Sequence, residues 1–506
     1  MSNESVLNTY LKLQNGSDVR GIAITSENGP ANLHEEEARA IARAFVSYLV
    51  KKTGKEAADL KVGVGHDSRL SADVLTKGAA QGITAAGAKG FNCGLVSTPS
   101  MFNSTILPGS DFDGAVMITA SHMPYDRNGL KFFTKEGGLE HEDVTEILKE
   151  AADYADMSER EDGSQAFALL TLYADHMKDI IKKEVQAEDY DHPLKGLHIV
   201  VDAGNGAGGF FAPRILEDLG ADTTGSVFLD PDGHFPNHIP NPEDKDAMEA
   251  IRKATLDSKA DLGVIFDCDG DRGAVVLDDG EEANRNTLIA LLAAILCRQY
   301  PGSTVVTDSV TSDELAEFLE GSLGMKHLRY MRGYKNVINK GIELNAAGEE
   351  CDLAIETSGH GAMKENYFSD DGAYIAVKII CEMARMRKEG RKIQELIADL
   401  KQPAEAKEIR FKISGEDFKA YGQQVLNDFR ALAESDSRFH IVEPNFEGIR
   451  VAFDDEEVKG WVLLRMSLHE PKMPMNLESR EAGGTDIILD RIRPFFVKYD
   501  RLTGLN

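Results

Sequence analysis

Strand-like apolar segments occur in pairs along this chain, and the paired pattern repeats three times. In each pair the first strand ends in an Asp followed by small residues, and the second strand ends in a polar loop. The separations from the closing Asp to the next polar loop are 54 residues (Asp67 to Ser121), 65 residues (Asp202 to Asp267) and 48 residues (Asp308 to Glu356). Three related α/β domains fit this repeat better than one large sheet. Because any α/β protein contains βαβ units at comparable spacing, the repeat alone leaves the single sheet open.

The pattern changes after residue 403. The segments 408–413 and 461–467 predict half-buried strands of a smaller α+β domain. An acidic stretch at 158–163 and the segment 401–406 indicate two boundaries. The predicted domains are 1–162, 163–285, 286–402 and 403–506.

Composition excludes several classes of protein. A chain of 506 residues is long enough for three to five ordinary domains. Its 56 basic and 85 acidic residues give a net charge of −29, which would repel a phosphate backbone, so we expect no nucleic-acid binding. The longest apolar run, 288–297, is half a membrane span and predicts a buried helix. Five scattered cysteines and the absence of a signal-like N-terminus predict reduced thiols and a cytoplasmic location.

The sharpest motif is Asp-Cys-Asp-Gly-Asp-Arg at 267–272, directly after an apolar strand at 262–266. Alternate residues of an extended segment face the same way, so Asp267, Asp269 and Asp271 are expected to converge. Three carboxylates suit Mg²⁺, and a divalent cation would relieve their mutual repulsion. A calcium EF-hand does not fit, because its glycine belongs at loop position six rather than four. An acidic surface turn is the remaining alternative.

A second polar loop, Thr-Ala-Ser-His-Met-Pro at 119–124, also follows an apolar strand. Ser121 in this loop could simply cap a helix, which is common for such a residue. The Gly-x-Ser-x-Gly pattern of a hydrolase nucleophile is absent. His122 is poorly placed to act as a base for Ser121, because neighbouring side chains diverge. Taken alone, this loop favours a structural role slightly over a catalytic one.

Together, the two loops resemble those of the α-D-phosphohexomutase family. The family's serine loop reads Thr-Ala-Ser-His-Asn-Pro, where this chain has Met123 in place of Asn, and its metal loop, Asp-x-Asp-Gly-Asp-Arg, is intact here. The family's sugar loop, Gly-Glu-x-Ser-Gly-His, is similar to 355–360, which differs only at the first residue. Shorter matches extend the resemblance over essentially the whole chain and lie at 18–21, 65–69, 98–99, 202–206, 231–233 and 240–243.

The resemblance implies three α/β domains with mixed sheets and a smaller C-terminal α+β domain, heart-shaped around a central cleft. It also implies that a serine carries the transferred phosphoryl group, with Lys131 exchanging a proton with a sugar hydroxyl. The implied catalytic residues are Ser121, Lys131, Arg272, Arg20 and His122. The implied Mg²⁺ ligands are Ser121, through its phosphate, and Asp267, Asp269 and Asp271.

The residues that the resemblance implies for substrate binding are Glu356, Ser358, His360, Lys335, Arg465, Ser467 and His469. Two departures concern this set. Some relatives carry Gly-His in a turn where this chain has Gly333-Tyr334-Lys335. The family's phosphate loop reads Arg-x-Ser-Gly/Asn-Thr-x-Pro, whereas here Leu468 and His469 replace the fourth and fifth residues. A hydroxyl donor is lost, and His469 could replace it.

The resemblance therefore implies an intramolecular phosphotransferase that interconverts hexose 1-phosphate and hexose 6-phosphate, of mannose or glucose or both. The cofactors would be Mg²⁺ and a hexose 1,6-bisphosphate that serves as activator and intermediate. We expect small hexose phosphates as partners, no membrane association, and a monomer or weak homodimer. The alternatives are a phosphoglucosamine mutase, whose sugar loop favours Glu-Gln-Ser over the Glu-Thr-Ser found here, a Mg²⁺-dependent phosphatase, and a catalytically silent sugar-phosphate-binding homologue.

Overall fold

A computed structural model describes residues 3–159, 161–467 and 470–504. The chain forms two compact units, the first from residues 1–288 and 358–395 and the second from residues 289–357 and 396–506. Within the described ranges, no helix is both long and apolar enough to cross a membrane.

The β-strands are β1 Gln14–Asn15, β2 Asp18–Ile22, β3 Lys61–His66, β4 Lys89–Leu95, β5 Gly114–Ile118, β6 Arg127–Thr134, β7 Gly137–Gly138, β8 Gln165–Ala166, β9 Ile199–Asp202, β10 Leu262–Phe266, β11 Gly273–Leu277, β12 Glu282–Ala283, β13 Thr304–Thr307, β14 Lys326–Arg329, β15 Cys351–Ile355, β16 Gly361–Met363, β17 Glu405–Ile413, β18 His440–Ile441, β19 Ile449–Asp454, β20 Lys459–Leu464, β21 Lys472–Ser479 and β22 Leu502–Thr503. The α-helices are α1 Asn3–Leu11, α2 Glu35–Thr53, α3 Ala72–Ala85, α4 Thr98–Asn103, α5 His141–Ala151, α6 Leu169–Val185, α7 Lys245–Ser258, α8 Arg285–Leu296, α9 Asp313–Glu317, α10 Tyr334–Ala346, α11 Gly372–Lys388, α12 Phe418–Ser435 and α13 Gly484–Phe496.

The first unit contains two mixed sheets. In the larger one the order is β1-β2-β6-β5-β3-β4-β8, with β5, β3, β4 and β8 parallel and the β6 side antiparallel. Helix α3 packs on β3, β4 and β5, and α2 packs on α3. The second sheet has the order β12-β11-β10-β9, in which only β9 and β10 are parallel. Strands β5 and β10 are buried along their whole length, as central strands covered on both faces should be.

The second unit contains three parallel strands, β14, β13 and β15, with α10 packed on β13 and β15. It also contains an antiparallel sheet with the order β18-β19-β20-β21-β17-β22. Helix α12 contacts β18 and β19, and α13 contacts β17, β20 and β21. The apolar side chains of this sheet and its two helices form one buried cluster.

The predicted architecture of three α/β domains followed by an α+β domain is confirmed. Each predicted strand pair is a pair of neighbouring parallel strands, namely β3 with β5, β9 with β10, and β13 with β15. Residues 288–296 of the predicted run are buried and lie in α8, and Cys297 beyond the end of the helix is half-buried. The predicted strand at 461–467 was too long, since β20 ends at Leu464. There the Arg465 N–H donates to the Pro474 carbonyl, and Pro474 has no N–H to continue the ladder. The four domain boundaries remain predictions.

Candidate active site

The serine loop begins where β5 ends, and its backbone is held in an uncommon conformation. Ser121 has a φ of 50°, in the left-handed region that few residues other than Gly adopt. Its N–H donates to Thr119 Oγ1 at 2.8 Å, which stabilises the turn. The guanidinium of the buried Arg69 donates to backbone carbonyls of the same loop, those of Ser121, Met123, Pro124 and Arg127. The protein's own side chains therefore fix the position of Ser121.

The three aspartates after β10 converge, as the alternating pattern predicts. Single oxygens of Asp267, Asp269 and Asp271 lie within 4.8 Å of one another, and each residue is at most 1% exposed. Gly270, with a φ of 74°, turns the chain between the second and third aspartates. Its N–H donates to Asp267 Oδ1 at 2.9 Å. Neither Asp269 Oδ1 nor Asp271 Oδ1 has a hydrogen-bond partner among the described residues.

These observations fit a bound cation. A buried polar atom without a partner is costly, and two such carboxylate oxygens lie close together here. An all-oxygen donor set is the one that Mg²⁺ prefers. The alternative of an acidic surface turn is wrong, because the three carboxylates are buried. The cluster can hold a metal ion.

The serine, the lysine and the aspartates form one group. Ser121 Oγ donates to Asp267 Oδ2 at 3.0 Å. Lys131 on β6 brings its Nζ to 2.6 Å from Asp271 Oδ2 and 3.2 Å from Asp269 Oδ2. Of the implied catalytic residues, Ser121 and Lys131 thus lie directly beside the predicted metal ligands.

Burial makes the three carboxylates unequal in their affinity for protons. Burial, with the charges of Asp271 and Asp269 added, raises the pKa of Asp267 well above its usual range. Burial opposes ionisation of Asp269 too, but the charge of Lys131 and a hydrogen bond from Thr98 outweigh it, so the pKa of Asp269 is lowered. Without a cation the cluster therefore favours sharing a proton at Asp267, and a divalent cation would remove that preference.

Arg272 links the serine loop to the sugar loop within the first unit. Its Nη2 donates to His122 Nδ1 at 2.8 Å, and its Nε donates to His360 Nε2 at 2.9 Å. His360 Nδ1 then donates to Asp370 Oδ2 at 2.6 Å. Because His360 Nε2 accepts a hydrogen bond, the proton of the neutral ring lies on Nδ1. Burial, with the charge of Arg272 added, lowers the pKa of His122 to about 2, so this ring is neutral.

Arg20 on β2 is also close to the serine loop. It donates to the Thr119 carbonyl, and its Nη2 donates to Asp18 Oδ2 at 2.8 Å. Its positive charge contributes to lowering the pKa values of His122 and Asp269. The structure therefore brings all five implied catalytic residues to one region of the first unit.

The second unit carries a group of polar residues after β13 and β15. Glu356 Oε1 accepts the Gly333 N–H at 2.6 Å. Asp308 Oδ2 accepts the Thr357 hydroxyl at 2.7 Å and lies 3.5 Å from Arg332 Nε. Burial raises the pKa of Asp308 to about 6, although the charge of Arg332 opposes it.

The implied phosphate loop follows β20. Arg465 is 7% exposed, and its Nη1 lies 3.6 Å from Glu447 Oε1. The Ser467 N–H donates to the Lys472 carbonyl at 2.9 Å, and Ser467 Oγ accepts the Glu470 N–H at 3.3 Å. His469 and Leu468 lie outside the described residues. Of the other implied residues, Lys335 lies in the first turn of α10, and Ser358 is buried in the first unit.

Sequence reasoning missed several polar residues that the structure places in these groups: Arg69, Asp370, Arg332 and Glu447. Arg69 was visible as part of a motif match, but nothing in the sequence indicated that it would reach the serine loop. The other three contact their partners through tertiary folding, for which a single sequence carries no local signal.

The three α/β domains, with the serine and aspartate loops beside each other, define the fold and site of a phosphohexomutase. Residues 11–158, 171–280 and 284–403 match, in order, alpha/beta/alpha domains I, II and III of the family described as Phosphoglucomutase/phosphomannomutase. The chain therefore belongs to the phosphoglucomutase/phosphomannomutase family of enzymes, as the motif resemblance implies.

Individual relatives are similar over nearly the full chain. A Phosphomannomutase/phosphoglucomutase of Pseudomonas syringae pv. tomato is 29% identical over 482 residues, covering 95% of this chain and 93% of that protein. A protein of Methanocella arvoryzae named "Probable phosphoglucosamine mutase" is 30% identical over 447 residues, covering 87% and 91%. A crystal structure of a Phosphoglucomutase/phosphomannomutase family protein from Burkholderia thailandensis has a TM-score of 0.79 and 26% identity, covering 99% of both chains.

Proposed function

We propose that this chain interconverts hexose 1-phosphates and hexose 6-phosphates, of mannose or glucose or both, through a phosphorylated Ser121 and a bisphosphorylated sugar. The observation that carries the proposal is the hydrogen bond of 3.0 Å from Ser121 Oγ to Asp267, within a buried cluster that has two unpartnered carboxylate oxygens. A phosphoryl group on Ser121 would add oxygens beside these carboxylates. Such a site needs a cation, because the phosphate and the aspartates would otherwise repel each other.

Asp267, Asp269 and Asp271 would hold Mg²⁺. When bound, the ion neutralises charge on the transferred group. In the forward step the bond between Ser121 Oγ and phosphorus breaks as a sugar hydroxyl oxygen bonds to that phosphorus. The return step reforms the bond to Ser121 from the other phosphate of the bisphosphorylated sugar. Ser121 thus ends each cycle phosphorylated, and a hexose 1,6-bisphosphate would restore it after accidental hydrolysis.

The remaining residues position these groups. Lys131 is the proposed partner for the proton of the sugar hydroxyl, supported by its place among the aspartates. Arg20 and Arg272 supply fixed positive charge near the transferred phosphoryl group. His122 is neutral and accepts a hydrogen bond from Arg272, so we assign it to orienting Arg272 rather than to proton transfer.

For the sugar and the phosphate that does not react, the proposed contacts are Glu356, Ser358, His360, Lys335, Arg465, Ser467 and His469. A carboxylate such as Glu356 can accept hydrogen bonds from two neighbouring hydroxyls, which suits a sugar. We also propose a cytoplasmic location and a monomer or weak homodimer.

A product-resolved assay tests the proposal. Purified protein with Mg²⁺ and glucose 1,6-bisphosphate is given mannose 1-phosphate, glucose 1-phosphate or glucosamine 1-phosphate, and both hexose 6-phosphate and inorganic phosphate are measured. We expect the 6-phosphates of mannose or glucose to form faster than glucosamine 6-phosphate. The glucosamine substrate is included because the relative from Methanocella arvoryzae is named a probable phosphoglucosamine mutase. Faster turnover of the glucosamine substrate would favour the phosphoglucosamine mutase. Release of inorganic phosphate without isomerisation would indicate a phosphatase, and no turnover would indicate a silent homologue.

A further inference from the structure

The carboxylate of Glu447 is surrounded by polar donor groups in the second unit. Its Oε2 accepts the Ser309 hydroxyl at 2.5 Å and the backbone N–H of Arg332 at 3.1 Å. Its Oε1 lies 3.6 Å from Nη1 of Arg465. A hydroxyl, a backbone N–H and a guanidinium around one carboxylate are the groups that proteins use to bind phosphate.

A second arginine lies beside this carboxylate. The Arg332 backbone donates to Glu447, and its side-chain Nε lies 3.5 Å from Asp308 Oδ2. The Arg332 side chain is 23% exposed, so it keeps access to solvent. Burial is the main cause that lowers the pKa of Arg465, and the charge of Arg332 adds to it while Glu447 opposes it. The charge of Arg332 therefore acts on Arg465 electrostatically.

The site also retains donor capacity. Arg465 Nε is buried and has no hydrogen-bond partner among the described residues. A guanidinium has five N–H groups, and a buried one without a partner is costly unless a ligand supplies an acceptor. A phosphate has more acceptor oxygens than the carboxylate of Glu447 and could satisfy it.

We propose that Arg332 and Arg465 together bind the phosphate of the substrate that does not react, and that this phosphate takes the place of the Glu447 carboxylate on their donors. The inference rests on the proposed function and adds Arg332 and Glu447 to it. Arg332 binds the phosphate, and Glu447 competes with it.

The two residues should therefore have opposite effects on phosphate affinity. Removing the Arg332 guanidinium takes away charge-assisted hydrogen bonds, and we expect the Kd for phosphate to rise about tenfold or more. Arg332→Lys keeps the charge but not the planar fork and should lose less. Glu447→Gln removes the competing charge, and we expect Kd to fall about threefold or more, because a negative charge beside a bound anion is destabilising.

Isothermal titration calorimetry with inorganic phosphate on the full chain tests this, together with KM for glucose 1-phosphate. Matched controls are Arg438→Ala and Asp454→Asn, which change the net charge equally at exposed positions. Phosphate that binds at other places should bind equally to wild type and to every variant. The test therefore rests on the differences in Kd between the proteins. Circular dichroism melting checks that each variant is folded.

A Kd for Arg332→Ala equal to that of wild type, or no larger than that of Arg438→Ala, would overturn the role of Arg332. A rise in Kd for Glu447→Gln would overturn the competition, because Glu447 would then support phosphate binding. These outcomes are independent of turnover. If wild type fails to isomerise any hexose phosphate, the proposed function fails while the phosphate titrations still decide the inference.

Discussion

The charged groups around Ser121 and those around Arg465 differ in how firmly the protein holds them. Around Ser121 the three aspartates are at most 1% exposed, and Lys131 contacts two of them at 2.6 and 3.2 Å. Around Arg465 the side chains are more open, with Arg332 at 23% and Glu447 at 10% exposure. The arginine contacts there are longer, at 3.5 and 3.6 Å.

This difference matches two different tasks. Phosphoryl transfer needs the reacting atoms aligned, so the groups around Ser121 are pre-positioned. A second site must bind and release a phosphate in either orientation of the sugar. Its donors are better satisfied if a carboxylate of the protein accepts their hydrogen bonds when no phosphate is bound. We therefore expect substitutions around Ser121 to reduce kcat and substitutions around Arg465 to raise KM.

The largest effect is expected for Ser121→Ala, which removes the oxygen that carries the phosphoryl group. Mutase turnover should be abolished, while the fold is retained because the change deletes one oxygen atom. Intact-mass analysis should show a phosphate on part of the wild-type sample and none on the variant. Normal turnover by the variant would contradict the phosphoserine role. The expected difference between effects on kcat around Ser121 and effects on KM around Arg465 would then have no basis.

Asp269→Asn should have the next largest effect, because it removes the charge of one proposed metal ligand. We expect the Mg²⁺ concentration for half-maximal activity to rise about tenfold or more. Binding of Mn²⁺, measured by electron paramagnetic resonance, gives a readout that does not depend on turnover. The matched control is Asp278→Asn, whose carboxylate pairs with Lys392. Full activity after exhaustive chelation would show that the aspartates do not serve a metal.

The parts of the fold that a sequence reveals are those with a local pattern. Strands β5 and β10 are unbroken apolar runs between polar loops, so their existence and position could be predicted. The short edge strands β1 and β12 have two residues each and carry no such pattern. The end of β20 depended on Pro474 of the neighbouring strand β21, and the pattern of 461–467 itself does not show where that pairing stops.

The same distinction applies to the candidate site. Asp267, Asp269 and Asp271 share one strand end, so their alternation alone predicts that they converge. Glu447 contacts Ser309, which lies 138 residues away in sequence, and no local pattern predicts that contact. The convergence of the three aspartates was therefore predictable from the residues alone, whereas the contacts of Ser121 with Asp267 and of Glu447 with Ser309 were not.

Arg465→Ala tests the site proposed for the phosphate that does not react. Because Arg465 is proposed to bind a phosphate that does not react, its loss should raise KM for glucose 1-phosphate about tenfold or more and leave kcat less affected. Arg465→Lys should recover part of the loss. His469→Ala should raise KM less than Arg465→Ala does. Its effect should fade as the pH rises above the range in which the imidazole titrates. An unaltered KM in Arg465→Ala would place the phosphate site elsewhere.

The smallest effect concerns stability in the sheet that carries Arg465. Burial raises the pKa of Glu478 to about 7, against the opposing charge of Arg450 and a hydrogen bond from Trp461 Nε1. The folded state therefore binds this proton more tightly than the unfolded state, in which the pKa is near its usual 4.5. The contribution of Glu478 to stability is complete below about pH 4.5 and is lost as pH rises through about 7.

Glu478→Gln should remove this dependence while keeping an acceptor for Trp461. From pH 5 to pH 8, wild type should lose up to about 3 kcal/mol of unfolding free energy relative to the variant, and less if the site relaxes. Urea unfolding followed by the fluorescence of Trp461, the single tryptophan of the chain, reports on this domain. The exposed Glu456→Gln is the matched control and should follow wild type. Parallel pH profiles for wild type and Glu478→Gln would mean that burial does not raise the pKa of Glu478.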